Sequence, residues 1–246
     1  MRIDLLTLFP EFYGSPLSQS MLHRAQVQGA VTFRVINLRD FAEDRHQVTD
    51  DRPFGGGPGM VLKIEPLARA VRAVRQEDPG VRVLLMSPQG PLFSQEKARE
   101  LAQLPHLLLI SGHYEGVDDR IRFYIDEELS IGDYILTGGE IPTLVVADAV
   151  SRLLPGVLGG EGATEEESFQ TGLLEYPHYT RPRDFEGHGV PQVLLEGDHR
   201  RIAAWRRQEA LRRTARLRPD LLAKAVLGPE DRQFLETLAQ MPGEDG

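Results

Sequence analysis

The sequence predicts an α/β protein, with a parallel sheet covered on both faces and a small helical domain at its C-terminal end. Three observations carry this. Apolar runs of strand length alternate with helix-length stretches through the first 154 residues, the pattern of a parallel sheet with helices on its faces. Three glycine-rich segments, at 87–90, 111–116 and 130–140, each follow an apolar run. Beyond a stretch rich in glycine and glutamate, the chain becomes arginine-rich with helical spacing.

Taken in order, residues 3–9 form an apolar run and are expected to be a buried strand. Residues 17–27 read as a helix stopped at Gly29, and 31–36 as a second strand. Residues 37–59 are polar and glycine-rich, a loop long enough to expect function or disorder. A helix is expected over 65–75, a strand over 81–86, and a helix over 94–103 with Ser94 as its N-cap. A short strand over 107–110 leads into the second glycine segment. Helices are expected over 117–124 and 140–154, with a short strand at 129–131 between them. Residues 176–197 lack a periodic apolar pattern, 197–222 read as one or two helices, and 229–240 as a last one. The expected organisation is an α/β domain at 1–160, an acidic linker at 161–175 and a helical domain at 176–246.

A length of 246 residues allows one large domain or two smaller ones. Hydrophobic content of 41% and charged content of 26% are those of an ordinary soluble globular protein. No apolar run reaches the roughly 18 residues of a membrane span, and the N-terminus lacks a secretory pattern. Without cysteine there is neither a disulfide framework nor a thiolate metal site. These readings point to a cytoplasmic protein with no membrane partner. The net charge of −9 is unevenly laid out: five Glu and no basic residue fall in 161–175, while eight Arg and one Glu fall in 199–218. Positive charge concentrated in this way suits nucleic acid even in an acidic protein.

Glycine belongs where backbone must turn sharply or approach a ligand, and ligands of open α/β sheets gather outside the carboxyl ends of strands. Three such segments point to one ligand held largely by main-chain groups. None carries a lysine placed to grip phosphate, and the glycines at 55–59 precede no Gly-Lys-Ser/Thr. No Gly-x-Gly-x-x-Gly follows the first strand, which disfavours a dinucleotide oxidoreductase. The histidines lack zinc-site spacing. Glu115 and Asp118-Asp119 are carboxylates of the kind Mg2+ accepts, but no cage spacing is visible and no metal ligand is assigned.

The run Asp51-Arg52-Pro53-Phe54-Gly55-Gly56-Gly57-Pro58-Gly59-Met60, then Ser87-Pro88-Gln89-Gly90, then Gly112-His113-Tyr114-Glu115-Gly116-Val117-Asp118-Asp119-Arg120, resembles the bacterial tRNA (guanine-N1)-methyltransferases that modify position 37. The likeness continues through 130–140, Ser151-Arg152-Leu153-Leu154-Pro155-Gly156-Val157-Leu158-Gly159 and Pro177-His178-Tyr179-Thr180-Arg181-Pro182, and spans nearly the whole chain. The resemblance implies a SPOUT-type parallel sheet with a deep trefoil knot. It also implies a homodimer with active sites at the subunit interface, S-adenosylmethionine as methyl donor and tRNA as partner. Any role for Mg2+ likewise rests on it. By the same resemblance Gly112, Ile131, Gly132, Asp133, Tyr134, Ile135 and Leu136 line the donor site, with Pro88, Tyr114, Glu115, Gly116, Gly138 and Gly139 near it.

The residues suit that chemistry. A sulfonium donor carries an adenine and a positive centre but no phosphate, and bare peptide groups can read an adenine edge. Guanine N1 is protonated in the neutral base, so the enzyme must supply a base near N1 and a positive donor near O6. The resemblance puts the arginine at Arg152. For the base, the family usually has Asp-Ser-Phe in the linker, whereas this chain has Glu167-Ser168-Phe169 after Glu165 and Glu166. Glu167 is the expected base, with Glu165 and Glu166 as alternatives. Asp50, Asp51 and Arg52 read either as an RNA-facing rim or as a loop held by a local ion pair. The arginines of 199–218 are expected to meet tRNA phosphates, with Ile202 and Trp205 packed inward. Two rivals stand beside this reading: the same fold acting on another RNA, and a non-catalytic RNA-binding protein that keeps the glycine segments for folding.

Overall fold

Leucine- and valine-rich runs of five or six residues become strands buried on both faces, which only a covered sheet permits. A computed structural model describes residues 1–159 and 167–240, and the chain divides into two units, Met1–Gly159 and Gly160–Gly246. In chain order the first holds β1 (Arg2–Thr7), α1 (Gly14–Leu17), α2 (Ser20–Val27), β2 (Thr32–Asn37), β3 (Asp50–Asp51), β4 (Val61–Leu62), α3 (Ile64–Glu77), β5 (Arg82–Met86), α4 (Gln95–Ala102), β6 (His106–Ser111), β7 (Glu127–Leu129) and α5 (Glu140–Ser151). Five of these strands form one sheet in the order β2-β1-β6-β5-β7, and every neighbouring pair is parallel.

Alternate residues of the strands feed two cores. Ile3, Leu5, Leu84, Leu107 and Leu109 pack with Val146 and Val150 of α5 and with Ala25 and Leu101. Leu6, Val83, Leu85, Leu108 and Ile110 pack with Leu67, Val71 and Val74 of α3 on the other face. Each side chain buried in this way contributes about 1.5–3 kcal/mol relative to exposure. At the amino ends of the strands lies a polar cluster. Asp4, wholly buried, accepts hydrogen bonds from Arg2 at 2.9 Å and Arg34 at 3.1 Å and lies 3.1 Å from Nε2 of His106. The same two arginines donate to Glu77, Arg2 at 2.8 Å and Arg34 at 2.9 Å.

The structure departs from the sequence reading in places. The helix expected over 17–27 is two pieces, because the Ser18 hydroxyl turns back to donate to the Ser15 carbonyl at 2.8 Å and competes with the helical ladder. The helix expected over 117–124 is only a 3-10 turn, Asp119–Phe123. Its start is taken by other bonds: Asp118 accepts from the Arg120 amide and guanidinium, and the Gly116 carbonyl accepts from Leu62 at 3.0 Å. The long loop at 37–59 is ordered by its own side chains, with Asp44 accepting from the amides of His46 and Val48, both at 2.9 Å. Ser94 caps α4 as predicted, its hydroxyl accepting from the Lys97 amide at 3.2 Å.

The second unit holds a small hairpin, β8 (Asp184–Phe185) and β9 (His188–Gly189), then α6 (His199–Leu217), α7 (Pro219–Leu222) and α8 (Pro229–Gln240). Asp198 starts α6 by accepting from the amides of Arg200 and Arg201, and Pro219 opens the separate helix α7. The core is Leu173, Ala210 and Leu211 with Leu222, Ala225, Leu227, Phe234 and Leu235 around them. Leu173 falls within the expected linker, so the end of that stretch is packed into the helical unit.

Candidate active site

The glycine segments converge because their strands are neighbours. β6, β5 and β7 lie side by side, and their carboxyl ends lead directly into 112–116, 87–90 and 130–139. The strands run parallel, so all three segments emerge along one edge of the sheet. The loops are laced together: the Gly139 amide donates to the Gly112 carbonyl at 2.7 Å, and His113 pairs with Gly138 as an antiparallel bridge. A Cβ on Gly139 would stand 2.7 Å from Ser111 Cα and 2.9 Å from the Gly112 nitrogen, so only glycine lets the start of α5 approach the end of β6. Gly132 has φ +147°, a backbone conformation that a side chain resists.

Between these loops is a cavity of about 430 Å³, within the range of small-molecule sites. It is bordered by Pro88, Gly112, Tyr114, Glu115, Gly116, Ile131, Gly132, Tyr134, Ile135, Leu136, Gly138 and Gly139. Asp133, named with them by the resemblance, is exposed and does not border the cavity. Among the described residues no Lys or Arg lines it, whereas Glu115, Asp119 and Glu128 do. A main-chain cavity with acidic side chains fits an adenine-bearing cation and disfavours a phosphate.

Beneath the cavity are residues the sequence reading missed. Tyr13, wholly buried, shares a hydrogen bond of 2.8 Å with Ser111, which shares another of 2.9 Å with Thr143 of α5. Burial pushes the Tyr13 hydroxyl up to about 12. Thr7, at the end of β1, donates to the buried carboxylate of Glu140 at 2.8 Å, whose other oxygen lies 3.7 Å from His113 Nδ1. These bonds fix the first turn of α5 against β1 and β6.

The remaining candidates fall elsewhere. Arg152 is the C-cap of α5, its amide donating to the Asp148 carbonyl at 3.0 Å. Glu167 belongs to the second unit and opens a turn in which its carbonyl accepts from the Gln170 amide at 3.1 Å. Glu165 and Glu166 lie outside the described residues. Asp118 is gripped by Arg120, which holds its carboxyl below the usual range, and Asp119 pairs with Arg122 at 3.0 Å. Among the described residues no three His, Cys, Asp or Glu side chains gather as a metal site. No described helix is long and apolar enough to cross a membrane.

The arginines of α6 do not present one common face. Arg207 donates twice to Asp231 of α8, at 3.0 and 2.7 Å. Arg213 reaches the Glu175 carbonyl at 3.4 Å, Arg212 pairs with Glu209, and Arg201 pairs with Glu196. Arg200 and Arg216 are exposed. Several of these cations therefore hold the helical unit together.

A parallel sheet whose adjacent strand ends enclose such a main-chain cavity defines an α/β protein that binds a small molecule at the carboxyl edge of its sheet. Residues 1–224 match the family described as tRNA (Guanine-1)-methyltransferase TrmD. A tRNA (guanine-N(1)-)-methyltransferase of Dictyoglomus turgidum is 55% identical over 238 residues, covering 97% of this chain and 96% of that protein. Proteins of the same name from Moorella thermoacetica and Geobacillus kaustophilus are each 54% identical, over 247 residues (99% of each chain) and 237 residues (96% of this chain, 97% of the relative). The chain belongs to the tRNA (guanine-N1)-methyltransferase family. That membership implies the SPOUT-type fold with its trefoil knot, and S-adenosylmethionine as methyl donor.

Proposed function

We propose that the protein transfers a methyl group from S-adenosylmethionine to N1 of guanosine 37, in tRNA that also has G at position 36, as a cytoplasmic homodimer. One observation carries the reading: three glycine loops border a single cavity that has acidic side chains and, among the described residues, no Lys or Arg. Its peptide groups suit an adenine, and Glu115, Asp119 and Glu128 suit a positive sulfur and an ammonium. When bound, S-adenosylmethionine supplies a methyl group already activated by its positive sulfur.

The chain's own residues prepare the acceptor. Neutral guanine has no free lone pair at N1, so Glu167 takes the N1 proton, and the freed electron pair forms the bond to methyl as the methyl–sulfur bond breaks and a neutral thioether leaves. As the proton leaves, negative charge builds toward O6, where the Arg152 guanidinium donates and stabilises it until the methyl group arrives. The proton remains on the carboxyl group until it is lost to water. Glu165 or Glu166 would fill the same role if Glu167 does not. Support for the dimer comes from α5, whose outer side carries large apolar residues beside the exposed Asp148: Ile141 is 50% exposed and Val145 41%. Exposed apolar side chains of this size suit an interface, and a second copy of this chain would provide one.

The test is methylation with tritiated donor of transcripts carrying G36-G37 and of matched transcripts lacking G37. Label is expected only in the first, recovered as 1-methylguanosine. Preferential labelling of another RNA would favour the first rival, and calorimetry showing no donor binding would favour the second.

A further inference from the structure

On the second unit, the stretch 176–179 and α6 form two pairs of rings, with an α6 guanidinium over one of them. Tyr176 and His178 have ring centroids 4.8 Å apart, tilted by 48°. Tyr179 and Trp205 are 6.4 Å apart at 50°, within the spacing of interacting aromatic pairs. Arg206, next to Trp205 on α6, sets its guanidinium 4.8 Å from the centre of the Tyr176 ring. These rings stand apart from the apolar cluster centred on Leu173 and Leu211. Tyr179 is 48% exposed, and the His178 side chain is 63% exposed. Arg181 and Arg183 follow directly in the chain, and both are exposed.

We propose that this cluster is a stacking platform for an unpaired base of the tRNA, with Tyr179 presenting the open ring face and Trp205 backing it. The inference rests on the methyltransferase reading and adds a contact made by the helical unit. Unpaired RNA bases are held by stacking on aromatic rings and arginine planes, while nearby cations follow the phosphates. A partner that is both flat and anionic matches rings interleaved with arginine. The loop around guanosine 37 supplies such bases.

Trp205 is the chain's one tryptophan, so its fluorescence reports on the platform directly. Saturating tRNA should quench Trp205 emission in the unmodified full chain, and a fully paired RNA duplex should not. Tyr179→Leu keeps apolar bulk without a ring. It should bind tRNA about tenfold more weakly, the loss expected for one stacked base, with donor affinity and the salt slope unchanged. Tyr179→Phe should restore binding. The platform is overturned if saturating tRNA leaves Trp205 emission unchanged, if Tyr179→Leu binds like the native chain, or if Phe is no better than Leu. Native-like tRNA binding by Tyr179→Leu with normal methylation would remove the platform alone. Failure of the unmodified chain to bind or methylate tRNA would remove the proposed function and the platform with it.

Discussion

Gly139 shows how little space separates the loops that make the cavity. An added methyl group meets the backbone of Ser111 and Gly112, so Gly139→Ala must push α5 away from β6. A shift of about 1 Å at such a site costs roughly 100-fold in rate, and we expect that loss in kcat/KM together with weaker donor binding by calorimetry. Glu167→Ala should behave oppositely. Donor affinity should stay near native while the methylation rate falls by about 100-fold or more, and full activity in that variant would move the base to another residue. At this scale the sequence was informative where residues act through short contiguous segments. The glycine loops are each read within a few positions, so their chemistry shows in the order of residues. Tyr13, Thr7 and Thr143 gave no such signal. Tyr13 meets Ser111 across 98 positions and Thr7 meets Glu140 across 133, and only the parallel sheet makes them neighbours.

Single elements carry loads that residue type alone misassigns. The arginines of α6 read as a phosphate-binding series, yet Arg207 is bound to Asp231 on α8 and its charge is spent on folding. Arg207→Ala should lower stability by about 2 kcal/mol, as loss of hydrogen bonds to a charged partner does, in urea unfolding. Arg200→Ala should leave stability unchanged and instead reduce the salt dependence of tRNA binding by about one counterion. The amino ends of β1 and β2 make a second case. Arg2 and Arg34 hold Glu77 down at about 2, from an ordinary value of 4.5. A carboxyl depressed in the folded state adds stability above its unfolded value and loses it as pH falls toward the folded one. Native stability in urea should therefore decline between about pH 4.5 and 2, and Glu77→Gln should flatten that decline. The strands were legible because burial on both faces forces continuous apolar runs. The helix expected over 117–124 was not, since Asp118 and Arg120 satisfy one another locally and leave only a 3-10 turn.

For the whole molecule, the sequence reading set apart an α/β region at 1–160, an acidic linker at 161–175 and a helical region at 176–246 by composition, while the structure has two units, Met1–Gly159 and Gly160–Gly246. The boundary was blurred because glutamate and glycine mark a tether, while Leu173 inside that stretch packs against Leu211. Ile141→Glu places a charge on the outer side of α5 and should give a monomer in sedimentation. Methylation should fall with it, because the proposed homodimer has its active sites where two copies meet. A fully active dimer would contradict this.

The loops at the ends of β5, β6 and β7 carry one practical consequence for inhibitor design. A compound anchored to amide and carbonyl groups there would address atoms that every amino acid shares. Replacing a side chain cannot delete those anchors, and at Gly139 even a single methyl group displaces the enzyme's own loops. Resistance would have to arise through uptake, efflux or expression more often than through altered recognition.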